Sequence, residues 1–187
     1  MRILVTGSTG QLGFDVVREG RERGLDMIGV GSKDLDITNQ QDVFSYVKDM
    51  NPDAIIHCAA YTAVDKAEDD KEMCWNVNVE GTRNLVNVCK ELGSKFLYIS
   101  TDYVFEGNGN EPFGTDSPTN PTGYYGYTKL EGEKIVQASL EKWFIVRISW
   151  VFGKNGNNFV KTMLRLSENR NEINVVADQF GSPTYTV

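Results

Sequence analysis

Histidine occurs once in this chain, at His57, and cysteine three times, at Cys58, Cys74 and Cys89. The cysteines are odd in number and widely spaced, with no C-x-x-C pair. That excludes a disulfide framework and a cysteine zinc site, and the thiols read as small buried apolar groups. No metal site is expected, and His57, at the end of a strand beside Cys58, reads as a packed histidine. No apolar run is long enough to cross a membrane. The apolar stretch in "MRILVTGSTG" is too short for a signal peptide, so a cytoplasmic protein is expected. Positive charge is also scarce: 19 Lys and Arg against 26 Asp and Glu give a net charge of −7. With no basic stripe, a nucleic-acid partner is excluded, because a phosphate backbone would be repelled. A small anionic ligand would need a local device working against the global field. "EDDK" (68–71) reads as a solvated, acid-rich helix start. Internal repeats and low-complexity segments are absent.

What is present is the composition of a globular domain, 40% hydrophobic and 24% charged over 187 residues. Short apolar runs predict strands at 2–6, 26–30, 54–58, 95–100 and 143–148. Longer periodic segments predict helices at 11–23, 40–49, 71–92 and 124–140. In the third helix, Trp75, Val79, Val86 and Cys89 fall at steps that share one face. Strand–helix alternation with nearly continuous apolar strands gives a doubly wound parallel sheet, Rossmann-like, in the α/β class. The tail "NEINVVADQFGSPTYTV" supplies a strand and a turn with no covering helix. Residues 1–153 are therefore expected to form a dinucleotide-binding domain, and 154–187 the truncated start of a substrate-binding lobe.

The local device for an anion lies in "ILVTGSTGQLG" (3–13). Gly7 permits a tight turn, Gly10 lets backbone approach a pyrophosphate, and Gly13 lets the helix sit close on the strand. The helix N-terminus adds free N–H groups and partial positive charge. "GYYGYTK" (123–129) poses a choice among three tyrosines. Residues four apart lie about 40° apart around a helix, so Tyr125 shares a face with Lys129. Tyr124 and Tyr127 are rotated roughly 140° and 160° away. An ammonium beside a phenol lowers its pKa, and the pair can deliver a proton to a developing alkoxide. Ser100 and Thr101 fall at the end of the fourth strand, where a hydroxyl can hydrogen-bond a substrate carbonyl. After the second strand comes "VGSK", where an NAD enzyme places a carboxylate for the ribose 2′-hydroxyl. Gly31 would leave room there, and Ser32 and Lys33 could hold a 2′-phosphate, with Asp34 partly offsetting them. NADP(H) is therefore preferred, with NAD(H) also accommodated.

"CAAYTAVDKAE" (58–68), "STDYVFEGNG" (100–109), "YGYTKLEGE" (125–133), "SWVFG" (149–153), "NNFVKTM" (157–163) and "DQFGSPT" (178–184) follow in order. Together they resemble the dTDP-4-dehydrorhamnose reductase family of extended short-chain dehydrogenases/reductases, over essentially the whole chain. The resemblance implies reduction of the 4-keto group of dTDP-4-dehydro-L-rhamnose to dTDP-L-rhamnose, a donor for surface polysaccharide. It implies Thr101, Tyr125 and Lys129 as catalytic residues. Cofactor contacts would come from Gly10, Gln11 and Leu12, from Asp36 and Ile37, and from Ala60, Tyr61 and Thr62. Thr101, Asp102 and Trp150 would meet the dTDP-sugar, with Asn158 on the diphosphate. For some relatives it also implies a homodimer and Mg2+. Two alternatives stay open: a nucleotide-sugar epimerase or dehydratase of the same class, and a non-catalytic NADP-binding regulatory subunit.

Overall fold

The computed structural model describes residues 1–109 and 111–187. Five parallel strands form the main sheet: β1 (Arg2–Thr6), β2 (Asp26–Val30), β3 (Ala54–His57), β4 (Lys95–Thr101) and β5 (Trp143–Ile148). Their order is β2-β1-β3-β4-β5. The order reverses between β1 and β3, and a crevice opens there beyond the C-terminal strand ends. The helices are α1 (Gln11–Glu22), α2 (Gln40–Met50), α3 (Lys71–Trp75), α4 (Gly81–Leu92), α5 (Tyr124–Ser139) and α6 (Phe159–Ser167). A small parallel pair, β6 (Val151–Phe152) with β7 (Thr184–Tyr185), follows β5 in the fold.

Alternation along β1 assigns the two faces of the sheet. Leu4 joins Val43, Val47, Leu85, Val86, Phe96 and Val136 in a core beneath α2, α4 and α5. Ile3 and Val5 face the other way and pack with Val17 of α1. Local signals set the ends of the helices. The Asn39 side chain caps α2 by accepting from the N–H of Gln41 and Asp42, and Asn51 ends it in the left-handed region, just before Pro52. Gly93 closes α4 with φ of 66°.

Three expectations need correction. The predicted helix over 71–92 is interrupted by a π-turn at Asn76–Glu80. The extra residue rotates the preceding turn, so Cys74 is buried and Trp75 is only half-buried. The predicted tail strand is absent before β7. Val175 and Val176 are exposed, and a strand with no neighbour leaves its backbone groups to water. The last strand is also not covered on both faces: Phe144 is 67% and Val146 40% exposed. Among the described residues, no helix is long and apolar enough to cross a membrane.

Candidate active site

A cleft of about 900 Å³ lies over the C-terminal ends of the strands. Its floor is the turn from β1 into α1. Gly7 has φ of +69°, and a Cβ on it would meet Ala59 N at 2.7 Å. A Cβ on Gly13 would meet the Gly7 carbonyl oxygen at 2.3 Å. A Cβ on Gly10 would have only that same oxygen nearby, at 3.3 Å, so backbone faces the open cleft there. The turn closes through Gly10 N–H to Gly7 O at 3.0 Å. Gln11 and Leu12 at the α1 N-terminus also line the cleft. Free N–H groups facing a glycine-made concavity fit a diphosphate.

Beyond β2, Ser32, Asp36 and Ile37 line the cleft. Asp36 accepts from the Thr38 N–H and hydroxyl at 2.9 and 2.7 Å, and Asn84 donates to the Ile37 carbonyl at 3.0 Å. This wall is braced from behind. Lys33 is exposed and lies outside the cleft lining. The space at Gly31 is taken by Thr9, whose Cγ2 would be 2.8 Å from an added Cβ. Gly31 therefore serves a close protein contact while also lining the cleft. Asp34 turns its carboxylate inward, accepting from the Gly31 N–H at 2.8 Å.

After β3, Ala60, Tyr61 and Thr62 form the opposite wall. Asn78 in the π-turn holds it: its Oδ1 accepts from Tyr61 N–H at 2.8 Å and its Nδ2 donates to Tyr61 O at 3.2 Å. The only histidine ties this wall to the floor. Thr82 spends its proton on Asn78 O at 2.7 Å, so His57 Nε2–H must donate to Thr82 Oγ1 at 3.1 Å. Thr6 Oγ1 then donates to Nδ1 at 2.7 Å. Burial, aided by Lys129, pushes His57 down to about 3, so it stays neutral.

The three catalytic candidates converge on this cleft. Thr101 ends β4, and Tyr125 and Lys129 reach in from α5, whereas Tyr124 and Tyr127 do not line it. Gly126 brings α5 this close, since a Cβ there would lie 2.1 Å from Tyr103 O. The Thr101 hydroxyl donates to Asp102 Oδ1 at 3.0 Å and accepts from Tyr103 N–H. Lys129 is buried with its Nζ 4.1 Å from the centre of the Tyr98 ring. Burial pushes Lys129 down to about 7, with Glu133 pulling the other way. Tyr125 is pushed up to about 12 by burial, with the Thr101 hydroxyl opposing. The expected lowering of Tyr125 by Lys129 is thus not found in this state. Burial of the phenol dominates, and the Lys129 ammonium lies over the Tyr98 ring.

Lys129 gives a stability prediction. Unfolded lysine titrates near 10.5 and the folded group near 7. Above pH 7 the unfolded chain binds more protons, so stability rises with pH. The burial penalty is full below pH 7 and fades towards pH 10.5. Between pH 7 and about 8, below the ordinary cysteine and tyrosine ranges, wild type should gain stability relative to Lys129→Met. Urea melts of both proteins across that window check this.

Trp150 lines the mouth of the cleft and is 51% exposed, with φ of 47°. Gly181 lies under its indole, where a Cβ would come within 2.8 Å of the ring. Asn158 does not line the cleft. It caps α6 through Lys161 N–H, and its Nδ2 donates to Gln11 Oε1 and Gly153 O, both at 3.0 Å. Gly156 and Asn157 line the cleft and were not expected to. Among the described residues, no group of three or more His, Cys, Asp and Glu side chains is placed to hold a metal.

A parallel sheet with a glycine turn after β1 and a cleft over its strand ends is the architecture of a dinucleotide-binding domain. The whole chain, residues 1–187, matches the family described as the RmlD substrate binding domain, and it belongs to that family. A dTDP-4-dehydrorhamnose reductase from Escherichia coli (strain K12) is 43% identical over 187 residues, 98% of this chain and 62% of the relative. The spore coat polysaccharide biosynthesis protein SpsK of Bacillus subtilis (strain 168) is 38% identical over 99% of this chain and 65% of its own. A crystal structure of dTDP-4-dehydrorhamnose reductase from Bacillus anthracis str. Ames in complex with NADP superimposes with a TM-score of 0.96 at 46% identity. That match covers 99% of this chain and 66% of the crystallised one. The chain spans less than two thirds of the length of these relatives.

Proposed function

We propose that the protein is an NADP-dependent oxidoreductase that reduces the 4-keto group of dTDP-4-dehydro-L-rhamnose, giving dTDP-L-rhamnose. The observation carrying this reading is the meeting of Thr101, Tyr125 and Lys129 in the glycine-floored cleft. The names of its relatives supply the substrate class. Residues 1–153 would bind the dinucleotide and 154–187 would begin the substrate lobe. A cytoplasmic setting is part of the same reading.

The glycine turn and the N–H groups of Gln11 and Leu12 would hold the cofactor diphosphate. Ser32, Asp36 and Ile37 would hold the adenosine end, and Ala60, Tyr61 and Thr62 the opposite wall. The bound cofactor supplies a hydride from its reduced nicotinamide. Tyr125 gives its proton to the carbonyl oxygen as negative charge develops there. A phenol held near 12 remains protonated at neutral pH, so the acid is in place beforehand. Lys129 lies one helical turn away; when protonated, it stabilises the phenolate left behind. Thr101 would turn from Asp102 to orient the carbonyl, and Trp150 would offer the deoxysugar an apolar wall.

The reading is tested by incubating the protein with dTDP-4-dehydrorhamnose and NADPH while following nicotinamide absorbance. Net consumption of NADPH supports it; a sugar interconverted without consumption contradicts it. NADPH should bind more tightly than NADH, by about fivefold, because an exposed phosphate contact contributes only ~1 kcal/mol. Ser32 lines the cleft and Lys33 does not, so Ser32→Ala should erode this preference more than Lys33→Ala. Dissociation constants for both cofactors check this.

A further inference from the structure

The phosphate loop is not free-standing. Asn155, 145 residues further along the chain than Gly10, donates from Nδ2 to both Thr9 O and Gly10 O, each at 3.1 Å. Neighbouring contacts brace it. Gly156, at φ of +70°, packs on the Gln11 side chain, where a Cβ would come within 2.8 Å of Cγ. Asn158 Nδ2 donates to Gln11 Oε1. Lys161 Nζ holds the strap from behind by donating to Lys154 O and Gly156 O. Further along α1, the buried Asp15 carboxylate accepts from the Thr186 hydroxyl, tying down the end of the β6–β7 pair.

The two carbonyls that Asn155 takes belong to the peptides that shape the anion cradle. The Thr9–Gly10 peptide carries the N–H that closes the turn onto Gly7 O. The Gly10–Gln11 peptide carries the first free N–H of α1. Glycine rotates easily on either side, so these planes are held by hydrogen bonds: Gly10 N–H to Gly7 O at 3.0 Å, Phe14 N–H to Gly10 O at 3.2 Å, and the two from Asn155. A flipped plane would aim a carbonyl, with its negative end, at a phosphate.

We propose that Asn155 is a positioning residue that locks both peptide planes with their N–H groups inward, so that the diphosphate meets a preformed cradle. The proposal rests on the dinucleotide reading above. It extends that reading by making cofactor affinity depend on the segment after β6. Gly156 and Asn157 of that segment line the same cleft, so the strap that orders the loop also borders the substrate space.

The test is calorimetric titration of the protein and of Asn155→Leu, which keeps the size but removes the donor. NADPH is one probe. Adenosine 2′-phosphate is the other; it lacks the diphosphate and reports only on the adenosine end. Loss of two hydrogen bonds predicts roughly 10-fold weaker NADPH binding, with adenosine 2′-phosphate unchanged within about twofold. Unchanged NADPH affinity in Asn155→Leu overturns the lock. Equal loss for both probes also overturns it, because the change would then be general damage. No NADPH binding by the unsubstituted protein overturns the dinucleotide reading and the lock together.

Discussion

Tyr125→Phe should lose about 10²–10⁴-fold in turnover while binding NADPH almost as well as wild type. The substitution removes one oxygen and leaves the ring packed edge-on against Tyr103. The cleft keeps its shape and the proposed proton donor is gone. Tyr124→Phe and Tyr127→Phe are the controls. Their rings pack with each other, outside the cleft, so activity should survive both changes. Steady-state kinetics and cofactor titration of the three variants decide the matter. An active Tyr125→Phe beside an inactive Tyr124→Phe or Tyr127→Phe would move the acid to another residue.

The second large effect is expected at the floor of the cleft. In Gly13→Ala the new methyl would sit 2.3 Å from the Gly7 carbonyl oxygen. That neighbour is backbone at the centre of the phosphate turn, so relief must come from moving either the turn or α1. Over-packing costs about 1–3 kcal/mol. If the displaced turn loses that much in binding, NADPH affinity falls by ~5- to ~150-fold. Gly24→Ala makes the comparison. Gly24 has φ of +75° and open space around it, far from the cleft lining. Alanine there should reduce stability and leave NADPH affinity unchanged. Thermal melts and calorimetric titrations of both variants separate the effects. Equal NADPH binding by Gly13→Ala and wild type would show that the turn does not hold the cofactor.

The strands and most helices were legible because their apolar patterns and end signals agree. Gly10 and Gly93 stand at helix ends, and Asn39 and Pro52 bracket α2. Tyr125 was legible for a geometric reason: 100° per residue puts only that tyrosine over Lys129. Other features depend on contacts between distant residues, which a linear pattern does not carry. The π-turn exists where Asn78 is claimed by Tyr61 and Thr128, and it moves burial from Trp75 to Cys74. Lys33 matched a phosphate-binding pattern, yet the turn closed by Asp34 and Gly31 leaves it outside the cleft lining. Spacing gave the Tyr125–Lys129 alignment, but the protonation balance of the pair follows from burial. Asn155 had no signal at all, since its partners are two backbone carbonyls near the opposite end of the chain.

The most direct measurement follows one atom. The protein is incubated with dTDP-4-dehydro-L-rhamnose and NADPH carrying deuterium at the transferable nicotinamide position, and the sugar nucleotide is read by mass spectrometry and NMR. One deuterium is expected at C4 of each dTDP-L-rhamnose formed, matched by one NADP+. Label remaining on the cofactor, or a sugar rearranged without net loss of NADPH, would contradict it.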